Sequence, residues 1–319
     1  MLFYPLLFEP IFKERIWGGT KLKELLNKSF DGHQIGESWE LSTVENDISV
    51  VANGAFKGLN LNQLIDKYPA EILGVNSIQN FGHNFPLLFK FLDAKEDLSI
   101  QVHPNDKLAK ERHNSFGKTE MWYVMQADEN ARLVVGFKDK INKKDYQEHI
   151  ENKTLAAILN ETPVEKGDAF FLETGTVHAI GAGVLIAEIQ QTSDITYRLY
   201  DWDRVDANGV GRELHADLAL DAINFETTNT KLNYEAAKNK SVTLVQCPFF
   251  KTNILQISEK YNWKKTKESF TVFMCIEGSF CLNMLHFKGT FKKGDTILIP
   301  AIIASFEIIG EASLLEITI

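Results

Sequence analysis

Two segments of the chain read as copies of one another: VEKGDAFFLETGTVHAI (164–180) and FKKGDTILIPAIIASFEI (291–308). Each opens on a Lys-Gly-Asp turn, runs through a short apolar strand and meets a second turn. Gly167 matches Gly294, and Asp168 matches Asp295. Upstream, EMWYVMQADENARL lines up with TVFMCIEGSFCLNM. A chain that repeats short strands and tight turns in this way is restricted to a duplicated β architecture of the sandwich or barrel kind. The two copies differ in their polar residues. Glu120 falls opposite Thr271 and His178 opposite Ser305, so the second copy keeps the turns and loses the groups that could do chemistry.

The rest of the sequence agrees with this reading. Runs such as LLFKFLDA (87–94), LSIQVH (98–103), ARLVVGF (131–137) and GVLIAEIQQ (183–191) are rich in β-branched and aromatic residues and bounded by turn formers. Apolar residues at helical spacing predict helices over 20–27, 59–73, 142–160 and 213–224, with a further helix opening at Pro104, Asn105 and Asp106. Residues 226–241 are polar and lack an apolar cluster, which predicts a linker between a first unit (1–225) and a second (242–319). The expected fold is mainly β: two jelly-roll barrels with a few added helices.

Composition narrows the function. With 319 residues and 44% hydrophobic content, the chain can bury one large core or two ordinary ones. The net charge of −9 comes without a basic face, which argues against a duplex nucleic-acid partner but not against a small anion. The opening MLFYPLLFEP lacks a basic flank and is interrupted by Pro5 and Glu9, so it is not read as a leader, and no apolar run approaches a membrane span. Three cysteines, Cys247, Cys275 and Cys281, look like reduced thiols of a cytoplasmic protein.

The stretch LSIQVHPND (98–106) is the most informative locally. Alternation on a strand puts Leu98, Ile100 and Val102 on one face and Ser99, Gln101 and His103 on the other. An amide and an imidazole side by side on an interior face need a polar purpose. A lone His at a strand end is more often a hydrogen-bonded structural residue than a ligand.

The Gly-Asp turn followed by turn-Gly-x-x-His resembles the cupin jelly roll, with Glu173 where that family usually has Pro. SIQVHPND, GKTEMWYV, GTVHAIGAGVLIAEIQQTSD and TYRLYDWDR, in this order, resemble the type I mannose-6-phosphate isomerases in their short bacterial form. ERIWGG (14–19) and GESWELS (36–42) fit as well, so the likeness runs from about residue 13 to residue 204. The resemblance implies that Gln101, His103, Glu120 and His178 hold one divalent metal per chain. Imidazole and carboxylate suit zinc. Gln-x-His in place of the usual His-x-His disfavours an iron oxygenase.

The resemblance further implies an aldose–ketose isomerase acting on mannose 6-phosphate and fructose 6-phosphate through a cis-enediol, as a monomer or homodimer. It places a catalytic arginine at Arg198, which a permanently charged fork suits, and an active-site lysine at Lys118. A lysine beside a metal cation is expected to have a lowered pKa. The family often has His directly before this lysine, where this chain has Gly117. Asp194 could orient Arg198 or a hydroxyl. Lys90, amid apolar neighbours, either emerges into solvent at the barrel mouth or points into a polar cavity, and the resemblance favours the cavity. Glu188 and Gln190 share a strand face and could bind hydroxyls; Trp17 and Trp39 could wall the sugar, and Ser38 could touch the phosphate. A non-catalytic sugar-phosphate sensor built on the same pocket is the competing expectation.

Overall fold

The computed structural model describes residues 2–205 and 208–319. In chain order the strands are β1 (Ile11–Gly19), β2 (Ile35–Leu41), β3 (Thr43–Val44), β4 (Asp47–Ile48), β5 (Leu87–Ala94), β6 (Ile100–Val102), β7 (Glu120–Ala127), β8 (Arg132–Phe137), β9 (Leu159–Pro163), β10 (Ala169–Leu172), β11 (His178–Ile180), β12 (Val184–Gln191) and β13 (Tyr197–Tyr200). The C-terminal region adds β14 (Ser241–Gln246), β15 (Lys251–Lys264), β16 (Thr271–Met284), β17 (Phe287–Lys292), β18 (Thr296–Ile299) and β19 (Ser305–Thr318).

Three sheets carry the fold. One runs β1-β2-β5-β12-β7-β10, a second β13-β6-β11-β8-β9, and the third β14-β15-β19-β16-β17 with β18 also on β16. The mainly β class holds, but the first two sheets stack as open layers instead of closing into a barrel. Their edge strands β1 and β13 do not pair with each other. An unpaired side of this kind is where a polar pocket can open between two apolar layers.

β5, β7 and β12 are buried on both faces, which explains their near-continuous apolar composition. One face, including Leu92, Trp122, Val124 and Ile186, packs on Leu133, Val135 and Ile180 of the second sheet. The other, including Phe89, Phe91, Met121 and Leu185, shares one core with Val272, Met274, Leu298 and Leu315 of the third. The third sheet therefore backs the first.

The repeat is visible in the backbone. Gly167 (φ +100°) and Gly294 (φ +93°) both occupy the left-handed region, which glycine adopts without a Cβ clash. In each turn the aspartate accepts the backbone N–H three residues earlier: Asp168 from Glu165 (3.0 Å) and Asp295 from Lys292 (2.8 Å). Each glycine then donates to the neighbouring long strand, Gly167 to Val124 and Gly294 to Cys275, both at 2.9 Å. Leu172 pairs with Glu120 in one copy and Ile299 with Thr271 in the other, so positions aligned in the repeat make equivalent strand pairings.

The helices are shorter than their periodicity predicts. The 59–73 segment splits into Leu61–Lys67 and Pro69–Ile72 because Pro69 starts a new turn. The 142–160 segment breaks after Lys143–Glu151, where Lys153 turns left-handed at φ +55°. Of 213–224 only Ala216–Ala219 is helical, since the residues before it are bonded to β13. Val75–Phe81 is an additional helix. Residues 226–240 hold no helix or strand beyond isolated bridges, yet they are not free: Phe171 N donates to Thr230 O and Leu232 N to Ala169 O, both at 2.8 Å.

Candidate metal centre and active site

Strand pairing assembles the site as two facing rows. In the second sheet His178 of β11 pairs with Gln101 of β6, and Gln101 pairs with Arg198 of β13. In the first sheet Trp122 of β7, Glu188 of β12, Lys90 of β5 and Trp39 of β2 follow one another across four strands. Side chains of one row project the same way, so residues far apart in sequence become neighbours about 4.8 Å apart. Between the sheets lies a cavity of ≈ 540 Å³, bordered by both rows and by Lys118.

His103, Glu120 and His178 converge behind Gln101 and Lys118, which line the cavity, with one donor atom from each within 4.8 Å of the others. Glu120 Oε1 lies 3.3 Å from His178 Nε2, and Oε2 lies 3.6 Å from His103 Nε2. The outer shell fixes both rings. His103 Nδ1 is 2.9 Å from Ile195 O and His178 Nδ1 is 2.8 Å from Thr176 O. A carbonyl can only accept, so both Nδ1 atoms carry the proton and both Nε2 lone pairs point into the cluster. Gln101 reaches the same spot, its amide 3.2 Å from His178 Nε2.

The donor set fits a cation on its chemistry. All three side chains are 2% exposed or less. Burial first, then Lys118 and His178, holds the His103 imidazole neutral, and burial takes His178 down to about 4. Burial pushes the Glu120 carboxyl up against the pull of Lys118, and neither of its buried oxygens accepts a well-directed hydrogen bond. Two neutral imidazoles and an undersatisfied buried carboxylate are what a divalent ion would satisfy.

Lys118 stands 3.1 Å from Glu120 Oε2 and 3.0 Å from His103 Nε2. The lowered pKa expected of this lysine is not what its protein surroundings produce. Burial opposes the charge, but Glu120 and Glu188 outweigh it and raise the value. Lys90 does enter the polar cavity. Its ammonium lies 3.0 Å from Glu188 Oε2, donates to Gln190 Oε1 at 2.7 Å and sits 5.1 Å from the Trp39 ring centre. Burial would raise the Glu188 carboxyl, but Lys90 and Lys118 hold it well below the usual range. Trp122 Nε1–H donates to Glu188 Oε1 at 3.0 Å.

The other residues singled out from the sequence divide. Arg198, Asp194, Trp17 and Trp39 border the cavity. Gln190 is fully buried behind it and steadies Lys90, its own amide donating to Gln191 O and Ser193 O. Ser38 is not brought to the site. It alternates to the opposite face of β2, where its hydroxyl donates to Glu40 Oε1 at 2.6 Å. The sequence reading missed Arg15, Glu37 and Arg212, which also border the cavity. Glu37 was within reach of period-two logic, since it shares a strand face with Trp39; Arg212 lies in a polar loop with no periodic signal. It also missed His215, whose Nδ1 accepts the Arg198 N–H at 3.1 Å while its own N–H donates to Arg198 O at 2.7 Å.

Comparison with known proteins agrees with this geometry. Residues 6–132 match the family described as phosphomannose isomerase type I, catalytic domain, and residues 240–319 match the mannose-6-phosphate isomerase cupin domain. The chain is 38% identical to a mannose-6-phosphate isomerase of Bacillus subtilis (strain 168), over 97% of this chain and 96% of that one. It is 34% identical to the mannose-6-phosphate isomerase of Streptococcus mutans, over 98% and 97%. A crystal structure of the Bacillus subtilis mannose 6-phosphate isomerase superposes with a TM-score of 0.90 at 35% identity, covering 99% of each chain. Near full-length likeness at this identity, on a fold that gathers these donors, places the chain in the type I mannose-6-phosphate isomerase family.

Proposed function

We propose that this chain interconverts mannose 6-phosphate and fructose 6-phosphate. The observation that carries the reading is the pair of facing rows: His178–Gln101–Arg198 on one sheet and Trp122–Glu188–Lys90–Trp39 on the other. Gln101 and Arg198 of the first row and Glu188, Lys90 and Trp39 of the second border one hexose-sized cavity, which supports an amide, a guanidinium and a lysine–carboxylate pair acting on one sugar.

His103, Glu120, His178 and Gln101 would hold one zinc ion, which when bound supplies a Lewis acid toward the oxygens on C1 and C2 of the sugar. The reaction removes the proton on C2 of the aldose and returns one to C1, while a proton passes between O1 and O2. Arg198 stabilises the negative charge of the enediolate, which exists only between those two transfers. Lys118, 3.1 Å from Glu120 and on the border of the cavity, is the candidate that gives a proton to a sugar oxygen and recovers it. Lys90 and Glu188 orient hydroxyls, and Trp17 and Trp39 present apolar walls. Asp194, exposed at the rim, orients a substrate hydroxyl.

The protein is read as cytoplasmic. Its three thiols are unpaired, and no helix among the described residues is long and apolar enough to cross a membrane. A coupled assay of mannose 6-phosphate conversion, run with and without a chelator, tests the function. Sugar-phosphate binding without exchange would instead make the protein a sensor.

A further inference from the structure

The charges around the cavity are balanced inside and unbalanced at the rim. Inside, Lys90 faces Glu188 at 3.0 Å and Lys118 faces Glu120 at 3.1 Å. On the β1 side Arg15 Nε donates to Glu37 Oε1 at 2.6 Å. On the β13 side three guanidiniums gather around one buried carboxylate. Asp201, 5% exposed, accepts from Arg204 Nη2 at 2.6 Å and from Arg212 Nε and Nη2 at 2.7 and 2.5 Å. Arg198 has no carboxylate partner: its Nη1 donates to Glu213 O at 2.9 Å, and its buried Nε has no partner among the described residues. Three cations against one buried anion leave a surplus of two. The other carboxylates nearby, Glu14, Asp194, Asp203 and Glu213, are exposed and weakened by solvent.

Arg204 does not border the cavity, whereas Arg198 and Arg212 do. Arg204 can therefore satisfy Asp201 from behind, leaving Arg212 with charge to spend on something in the cavity. The crowding is felt at Arg198, whose guanidinium is drawn below its ordinary range by burial and then by Arg212, with Arg204 contributing less. Arg198 is in the row next to Gln101 and so serves the reacting end of the sugar. Arg212 borders the same cavity with a partly exposed side chain, and its guanidinium is held in place by two hydrogen bonds to Asp201, a preorganised anion receptor.

We propose that Arg212, fixed by Asp201, takes the 6-phosphate of the substrate and sets the preference for phosphorylated over free hexose. This rests on the isomerase reading above and adds to it the residue that reads the phosphate. Asp201 is a positioning residue: it holds Arg212 and does not touch the sugar.

The test compares wild type with Arg212→Ala and Arg212→Lys in steady-state kinetics on mannose 6-phosphate and on mannose, with inorganic phosphate as inhibitor. The alanine variant is expected to raise KM for mannose 6-phosphate about 10- to 100-fold with a smaller change in kcat. Its preference for the phosphorylated sugar and its sensitivity to inorganic phosphate should fall in step, and lysine should recover part of both. An unchanged KM and phosphate sensitivity, or equal losses on both sugars, would overturn the proposal; equal losses would mean that Arg212 only props Arg198. If wild type does not exchange the two sugar phosphates, the isomerase reading fails instead. Calorimetric binding of inorganic phosphate to wild type and Arg212→Ala then decides the site by itself, with equal affinity counting against it.

Discussion

Arg198 pairs directly with Gln101 across β13 and β6, so the guanidinium stands in the strand next to a proposed metal donor without being one itself. That separation makes the two roles independent. Arg198→Ala is expected to lower kcat by about 10²- to 10³-fold or more, the usual effect of removing a group that stabilises transition-state charge. Metal content by elemental analysis should stay at the wild-type level. Full turnover in this variant would remove Arg198 from the chemistry.

Glu120 should behave in the opposite way. It is the one carboxylate of the cluster, and both its oxygens face the imidazoles. Glu120→Gln keeps the shape and removes the charge, so bound metal and activity should be lost together. A variant that retained stoichiometric metal would show that the cluster does not bind through Glu120.

The Lys90–Glu188 pair is buried, with side chains 8% and 4% exposed. Removing Glu188 takes away the close partner of a buried ammonium and leaves only the more distant Glu37, 4.0 Å away. Glu188→Gln should therefore destabilise the fold by about 3–5 kcal/mol in urea denaturation. The double variant Lys90→Met/Glu188→Leu should lose less than the sum of the single changes. Additive losses would mean that the two groups do not depend on one another.

Asp93 gives the fold a pH dependence away from the metal cluster. It lies on the β5 face away from the cavity, and its Oδ2 accepts the Lys21 N–H at 2.6 Å. Burial pushes its carboxyl up to about 6 from an ordinary 3.8, against the pull of its hydrogen bonds and Lys21. The folded state thus holds this proton more tightly than the unfolded chain does. Its contribution is fully present below pH 4 and is lost as pH rises to about 6, an effect on the order of 1–3 kcal/mol. Asp93→Asn should flatten that part of the stability profile; an unchanged slope would assign it to other groups.

What the sequence could show follows from what sequence patterns encode. The duplicated Lys-Gly-Asp turn was legible because a left-handed glycine and an aspartate that caps its own turn are local requirements, and the structure repeats them bond for bond. Gln101 and His103 were legible as polar neighbours on one face of an alternating strand, Glu120 and His178 as polar residues that the second copy of the repeat lacks, and the family resemblance joined the four into one set. Helix lengths were not, because Pro69 and the left-handed Lys153 cut periodic stretches that amphipathicity alone would continue. The balance at Lys118 was half legible: Glu120, the larger influence raising its pKa, stands two residues along the chain, whereas Glu188 reaches it only through the pairing of β12 with β7. Ser38 misled for the same kind of reason. One step along β2 changes which side of the sheet a residue sees, and nothing local says which side is the cavity.

The convergence of His103, Glu120, His178 and Gln101 on one ion is tested most directly by titrating metal back into chelated protein while following mannose 6-phosphate turnover. Activity should vanish on chelation and return in proportion to added zinc, reaching its maximum at one ion per chain. Full turnover in protein shown by elemental analysis to be metal-free would contradict the account.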